Sequence, residues 1–225
     1  MAAKIAEIDV REVSAGQRRR AAVARAILKL QKGNLRAGET VRRELLSSVL
    51  NGDISALTAL GTFLTYGIGV QKSSELAYAC YLVAAKRGDP DAQYNLGSAV
   101  IQGEGTPRDV GRGLRLLRLA QRNGSPDAVN YLGFCYRTGK GVKKNPRRGF
   151  ALSLEAAQAG LAAAQYDVGM CFLTGTGVDK DLANAERWIA RAAKGGDRHA
   201  QEYLGRRTQR NPARQPSPRR RTAAG

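Results

Sequence analysis

Four Gly-x-Gly pairs are the residues in this chain that most invite a chemical reading: Gly67/Gly69, Gly103/Gly105, Gly139/Gly141 and Gly175/Gly177. Such pairs cradle phosphates when a strand precedes them and a third glycine opens the following helix. Here each pair follows a helical pattern, and none continues as GxGxxG. Gly139-Lys140 is no phosphate loop either, because no glycine stands five residues upstream and Gly141 follows the lysine. The single histidine, His199, has no converging partners of the kind that metal sites and catalytic triads need. No two carboxylates are spaced as an acid/base pair, and solvent contact is expected to account for Asp167 and Glu155 among their apolar neighbours. The three cysteines, Cys80, Cys135 and Cys171, are odd in number and lack paired spacing. Small buried hydrophobes in a reducing compartment is their expected role. The chain therefore reads as a non-enzyme, with no cofactor and no metal.

Charge is the second chemical feature. Lys and Arg number 37 against 19 acids, a formal net charge of +18. That favours a polyanionic or acidic partner, or simply a self-repelling soluble surface. Arg36, Lys72, Arg108, Lys144 and Lys180 recur at one fixed spacing, with Arg112, Arg115, Arg118, Lys143, Arg147 and Arg148 beside them. Two readings stand for this column: an anion-binding stripe or a solvated turn. The last twenty residues add seven arginines, among them Arg219, Arg220 and Arg221, without an acid or an aromatic. Residues 208–225 are expected to be disordered, and the arginines to bind nucleic acid or acidic surfaces without base readout.

The Gly-x-Gly pairs and the basic column sit on one period of 36. Gly52, Gly88, Gly124, Gly160 and Gly196 keep that step, as do Ala56, Ala92, Ala128, Ala164 and Ala200, and Gly61, Gly97, Gly133, Gly169 and Gly205. A strict period of this length marks a stacked-repeat architecture. Within one unit, Asp89 and Pro90 can start a helix A, whose Ala92, Leu96 and Val100 form an i, i+4, i+8 stripe. Gly97 interrupts it at a cost of up to ~1 kcal/mol, which close helix approach would explain. Gly-x-Gly then ends helix A. Ser73, Asp109, Asn145 and Asp181 share the N-cap column of helix B, which closes on Ala84, Ala120, Ala156 and Ala192. Tyr81, Leu117, Leu154 and Trp188 are expected to fill space between layers. The fold class is all-α, an α/α solenoid of stacked 36-residue helix-turn-helix repeats. Residues 1–16 form an N-terminal segment and 17–51 a degenerate capping repeat. Four repeats and a C-terminal capping helix cover 52–207, and 208–225 is the basic tail.

The units AQYNLGSAVIQGEGTPRD (92–109) and AVNYLGFCYRTGKGVKKN (128–145), each followed by a helix ending in Ala and Gly, resemble the SEL-one-like repeat, an α/α relative of the tetratricopeptide repeat. The resemblance covers 52–205 strongly and 17–51 weakly. Thr106, Gln121 and Val168 depart from its pattern. It implies a right-handed superhelix of helix pairs with a concave protein-binding face, and adaptor or scaffold roles. Nothing specific to the disulfide-stapled secreted branch carries over, since paired cysteines within each repeat are lacking.

By the tetratricopeptide analogy, the concave face is lined by helix A columns. The expected partner-binding residues are Tyr94, Asn95, Asn130, Tyr131, Phe134, Tyr166, Asp167, Met170, Glu202 and Tyr203. These positions vary from unit to unit while their neighbours repeat, as expected where a ligand rather than packing sets the residue. Lys72, Arg108, Lys144, Lys180, Arg219, Arg220 and Arg221 are the expected anion contacts. The function so read is a protein- or peptide-binding adaptor. Nucleic-acid or anionic-surface binding through ladder and tail is one alternative, and a dedicated inhibitor or immunity-type binder of one partner is another. The N-terminal MAAKIAEIDVREVSAGQRRR has no signal-like apolar run, and no stretch approaches the ~18 apolar residues of a membrane span. A cytoplasmic location is expected.

Overall fold

All but one of the helices of the repeat are bounded by the same two devices: an oxygen-bearing side chain at the start and a glycine or polar turn at the end. The computed structural model describes residues 44–210, apart from 46, 50 and 69. The segment 1–16, most of the expected capping repeat, Arg36, and Arg219, Arg220 and Arg221 lie outside the described residues. Among the described residues, helical residues 44, 45 and 47–49 are followed by nine helices of 13 residues each. They are α1 (Ile54–Tyr66), α2 (Ser74–Lys86), α3 (Pro90–Gln102), α4 (Val110–Arg122), α5 (Pro126–Thr138), α6 (Pro146–Gln158), α7 (Ala162–Thr174), α8 (Leu182–Lys194) and α9 (Arg198–Arg210). No strand occurs among the described residues. Odd-numbered helices are helix A and even-numbered ones helix B, so the chain is an α/α solenoid of 36-residue repeats. The C-terminal helix α9 continues to Arg210, into the stretch expected to be tail.

The expected caps form. Ser73, Asp109, Asn145 and Asp181 each accept the N–H three residues on. Asp53, Asp89, Ser125 and Asp197 do the same for helix A. Each is worth about 1 kcal/mol. Only α7 begins without a side-chain cap, on Leu161. At the other end, Gly103 sits at φ 79° and closes α3, and Gly105 follows at φ 69°. A side chain at Gly105 would also collide with the Ser74 carbonyl. The second glycine thus lets this turn rest on the start of the preceding helix B, and Gly177 repeats the arrangement against Pro146.

The mid-helix glycines mark close approach, as their cost suggested. A Cβ at Gly133 would lie 2.7 Å from Ser153 Oγ and 2.9 Å from the Gly149 carbonyl oxygen. At Gly61 it would meet the Tyr81 ring at 2.5 Å, and at Gly169 it would meet Ile189 at 2.6 Å. At Gly205, past which no helix B follows among the described residues, it would meet nothing within 4 Å.

The chain groups into two compact units, Met1–Leu132 and Gly133–Gly225, divided within α5. In the first, Phe63, Cys80, Ala84, Ala92 and Val100 have no exposed surface. In the second, Ile189, Ala192 and Ala200 form a core on which Tyr166, Met170 and Tyr203 pack. The layer-filling column proves to be Tyr81, Leu117, Ser153 and Ile189, all within 4% of complete burial. Leu154 and Trp188, expected in that role, are half-buried, each displaced by one residue from the column. A further column, unrecognised in the sequence, is polar at three of its five positions, with Leu57 and Val129 at the other two. Gln93 and Gln165 are buried, and each donates Nε2 to a last-turn carbonyl of the preceding helix B (Ala85 and Ala157) at 3.2 Å. Gln201 repeats the bond to Ala193 at 3.1 Å. Each of these carbonyls also accepts the N–H of the glycine that follows its helix (Gly88, Gly160 and Gly196) at 3.1 Å, so the glutamine amide takes up the oxygen's second acceptor site.

Candidate functional site

Helix A separates packing residues from accessible ones with the period of the helix itself. In α3, Ala92, Gln93, Leu96 and Gly97 are buried, whereas Tyr94, Asn95 and Ser98 are half-exposed. In α7, Ala164, Gln165, Val168 and Gly169 are buried, whereas Tyr166, Asp167 and Met170 are half-exposed. In these two helices the expected contact positions form the accessible stripe, whereas in α1 the Tyr94 and Asn95 columns hold Thr58 and Ala59, which are buried.

Within the first unit, Tyr94, Asn95 and Ser98 come together in a notch formed by α1, α2 and α3. Tyr66, Tyr78 and Tyr81 complete its aromatic lining, and Glu104 from the α3–α4 turn stands on it. Tyr131 meets Tyr94 edge-on, with ring centroids 6.3 Å apart. Burial, then the Asp127 carboxylate, pushes the Tyr94 hydroxyl well above the ordinary phenol range. The Asp127 carboxyl is itself raised, by burial and then by the like charge of Asp91. Asn130 is half-exposed on α5.

Within the second unit the stripe is more engaged with the protein. Phe134 is 40% exposed, with Lys140 Nζ 5.9 Å from its ring centroid. Tyr166 stacks on His199 at 6.0 Å, so the lone histidine, although exposed, is part of an aromatic contact. Glu202 pairs with Arg198 at 2.9 Å and with Arg206 at 4.0 Å. Solvent contact does not account for Asp167. Its carboxylate lies 3.2 Å from Arg137 Nη2, whose side chain is only 10% exposed. Arg137 also donates Nη1 to Ser153 Oγ. Arg137 went unread in the sequence because its column holds Thr65, Ile101 and Leu173 in the other repeats. The clue was an arginine there together with a serine at the otherwise bulky position 153.

The basic column lies at the turns. A Cβ on Gly103 would sit 3.2 Å from Arg108 Cβ, and one on Gly139 would sit 3.3 Å from Lys144 Cβ. At Gly175 the neighbour is Lys180 Cγ, at 3.0 Å. Arg108 Nε donates to the Ile101 carbonyl at 3.2 Å. Each stem thus folds over the glycine closing its own helix A, where a cation meets unsatisfied carbonyls and the negative helix end. Lys72 is exposed at the corresponding place. The three cysteines are buried and unpaired, and burial pushes the Cys80 thiol up to about 11. Among the described residues no cluster of three or more His, Cys, Asp or Glu is placed to hold a metal, and no helix is long and apolar enough to cross a membrane.

A Sel1 repeat model matches the chain over residues 54–89, 90–125, 126–161 and 162–197. The chain belongs to the Sel1 repeat family. These four matches coincide with the four helix pairs α1/α2 to α7/α8. Sel1 repeat proteins generally act as protein-interaction scaffolds. A Sel1 repeat protein from Oxalobacter formigenes has a solved structure with 28% identity and a TM-score of 0.62, covering 77% of this chain and 74% of that one. The immunity protein Pa5087 from Pseudomonas aeruginosa shares the fold at 24% identity and TM-score 0.65, over 82% and 69% of the two chains. So does c5321, a protective antigen of uropathogenic Escherichia coli, at 23% identity and TM-score 0.58, over 82% of this chain and 43% of that chain. No curated protein matches the chain significantly.

Proposed function

We propose that this Sel1 repeat chain is a non-enzymatic adaptor that binds a protein or peptide through the accessible stripe of helix A, and that it works in the cytoplasm. The observation carrying this reading is the alternation itself. In α3 and α7 the alanine, glutamine and glycine positions are buried, while Tyr94, Asn95, Ser98, Tyr166, Asp167 and Met170 beside them are half-exposed, in columns whose residue types vary along the chain. Tyrosine and asparagine supply contact area and adaptable hydrogen bonds at small entropic cost. The ladder's stems, folded over their own turn glycines, support a local capping role more than an anion-binding one.

Affinity capture with the full chain, comparing wild type with Asn130→Ala/Phe134→Ala, tests this. Phe134 is preferred to Tyr166 because Tyr166 packs on the Ile189 core. The double variant should keep its helicity and melting temperature and lose most of the captured partner. Undiminished capture would overturn the helix A assignment.

A further inference from the structure

The notch of the first unit has a chemistry that its surroundings lack. Its lining includes four tyrosines, Tyr66, Tyr78, Tyr81 and Tyr94, and a single charged residue, Glu104. In a chain where Lys and Arg outnumber acids 37 to 19, a pocket whose one charged group is a carboxylate runs against the general field. Aromatic rings beside a carboxylate suit a cation: the ring quadrupole attracts it and the carboxylate neutralises it.

The geometry holds these groups in place. Tyr81 forms the floor, 4% exposed, with its hydroxyl 3.1 Å from Thr65 Oγ1 and donating to Thr62 Oγ1 at 3.4 Å. Tyr66, 73% exposed at the end of α1, stands at the mouth. Gly105 rests on the Ser74 backbone, which clamps the α3–α4 turn onto the start of α2 and keeps Glu104 at the rim. The corresponding turn position holds Lys140 in the third repeat and Thr176 in the fourth, so the acid is particular to this notch. On its outer side, Arg112 Nη2 donates to the Tyr78 hydroxyl at 3.0 Å, and a guanidinium is thus already accepted by one of the four tyrosines.

We propose that this notch binds a lysine or arginine side chain of a partner polypeptide, with Tyr66 and Tyr94 flanking the cation and Glu104 as its counter-charge. The proposal rests on the adaptor reading and names the partner chemistry that one part of helix A selects. Arg112 is a competitor at the rim, so its removal should favour the ligand.

The test uses full-length, 15N-labelled protein and the blocked peptide Ac-Gly-Gly-Lys-Gly-Gly-NH2, its arginine counterpart and its Nε-acetyl-lysine counterpart. The lysine and arginine peptides should give saturable shifts in the amides of Asn95, Ser98 and Gln102, weakening as salt rises. The acetylated peptide should give none. Glu104→Gln and Tyr66→Ala should each lower the affinity about fivefold or more, and Arg112→Ala should raise it, all with unchanged circular dichroism. Equal binding of the acetylated peptide would reveal a pocket for neutral polar groups and overturn the proposal, as would an inert Glu104→Gln or the lack of any saturable shift. Should the peptides fail while Asn130→Ala/Phe134→Ala still loses the captured partner, the notch assignment falls and the adaptor reading stands.

Discussion

The second and third repeats set the same backbone slot to opposite uses. In each, helix A and helix B cross glycine to glycine, Gly97 against Gly113 and Gly133 against Gly149. In the second repeat Ile101 covers Gly113, and Leu117, with no exposed surface, covers Gly97. In the third, Arg137 covers Gly149, and Ser153 takes the place of the leucine. The space lost at Ser153 goes to the guanidinium, which bonds the serine hydroxyl and reaches Asp167 on the next helix A. A slot shaped by two backbones accepts any side chain of suitable volume. A charged one is tolerated only because a hydroxyl and a carboxylate answer it, since burying an unpaired guanidinium costs several kcal/mol.

The comparison breaks most severely at the shared glycines. Gly133→Val should lower stability by ~3 kcal/mol or more, because Ser153 Oγ and the Gly149 carbonyl leave no room for a branched side chain. Gly205→Val, the same change where a Cβ would meet nothing, should stay within ~1 kcal/mol of wild type. Thermal melts followed by circular dichroism separate the two, and equal losses would show that the glycine column does not report helix approach.

Removing the charged filler comes next. Arg137→Ala should destabilise by ~1–3 kcal/mol, leaving a gap and depriving Ser153 and Asp167 of a donor. The double change Arg137→Ile with Ser153→Leu installs the pair of the second repeat. It should recover most of that loss, since Asp167 is 31% exposed and can be rehydrated. Denaturant midpoints of the single and double variants decide it. A double variant worse than the alanine would mean that the polar triad is required by the third repeat.

A smaller effect concerns pH and the first unit alone. Burial and Asp91 hold the Asp127 carboxyl above the ordinary carboxylate range, so folding favours its protonated form. The stability tied to this group is complete below the unfolded value of about 3.9 and is lost as pH rises through the raised folded value. Asp127→Asn should therefore raise the melting temperature slightly at neutral pH and leave it unchanged at about pH 3. A drop at neutral pH would show that the carboxylate is stabilising where it stands.

Smallest of all, Arg108→Ala should change stability by less than ~0.5 kcal/mol, although it removes the bond to the Ile101 carbonyl, because Arg108 is exposed and water replaces it. A loss above ~1 kcal/mol in a urea titration would make the turn cation a structural requirement of the repeat.

Much of this architecture was legible from residue types alone. The N-cap column Ser73, Asp109, Asn145 and Asp181, the glycines that stop helix A and the buried alanines are local demands of the backbone, and local demands recur at a fixed step. The polar interior was not legible. Gln93 and Gln165 look like surface glutamines until the last-turn carbonyls of Ala85 and Ala157 are seen beside them. Asp167 looks solvated until Arg137 arrives from another helix. Likewise Tyr94, Asn95 and Ser98 were visible as a variable column, but Glu104, Tyr66 and Tyr78 join them only where the α3–α4 turn folds back onto α2.

Residue order was enough for the period, the helix ends and the accessible positions of α3 and α7. These follow from hydrogen bonds and packing within a few turns, whose spacing the chain carries openly. Which charge meets which, that Ser153 makes room for Arg137, and that four tyrosines converge on one glutamate were settled only by packing. Those contacts join residues up to tens of positions apart, and no period in the chain encodes them, because each occurs once.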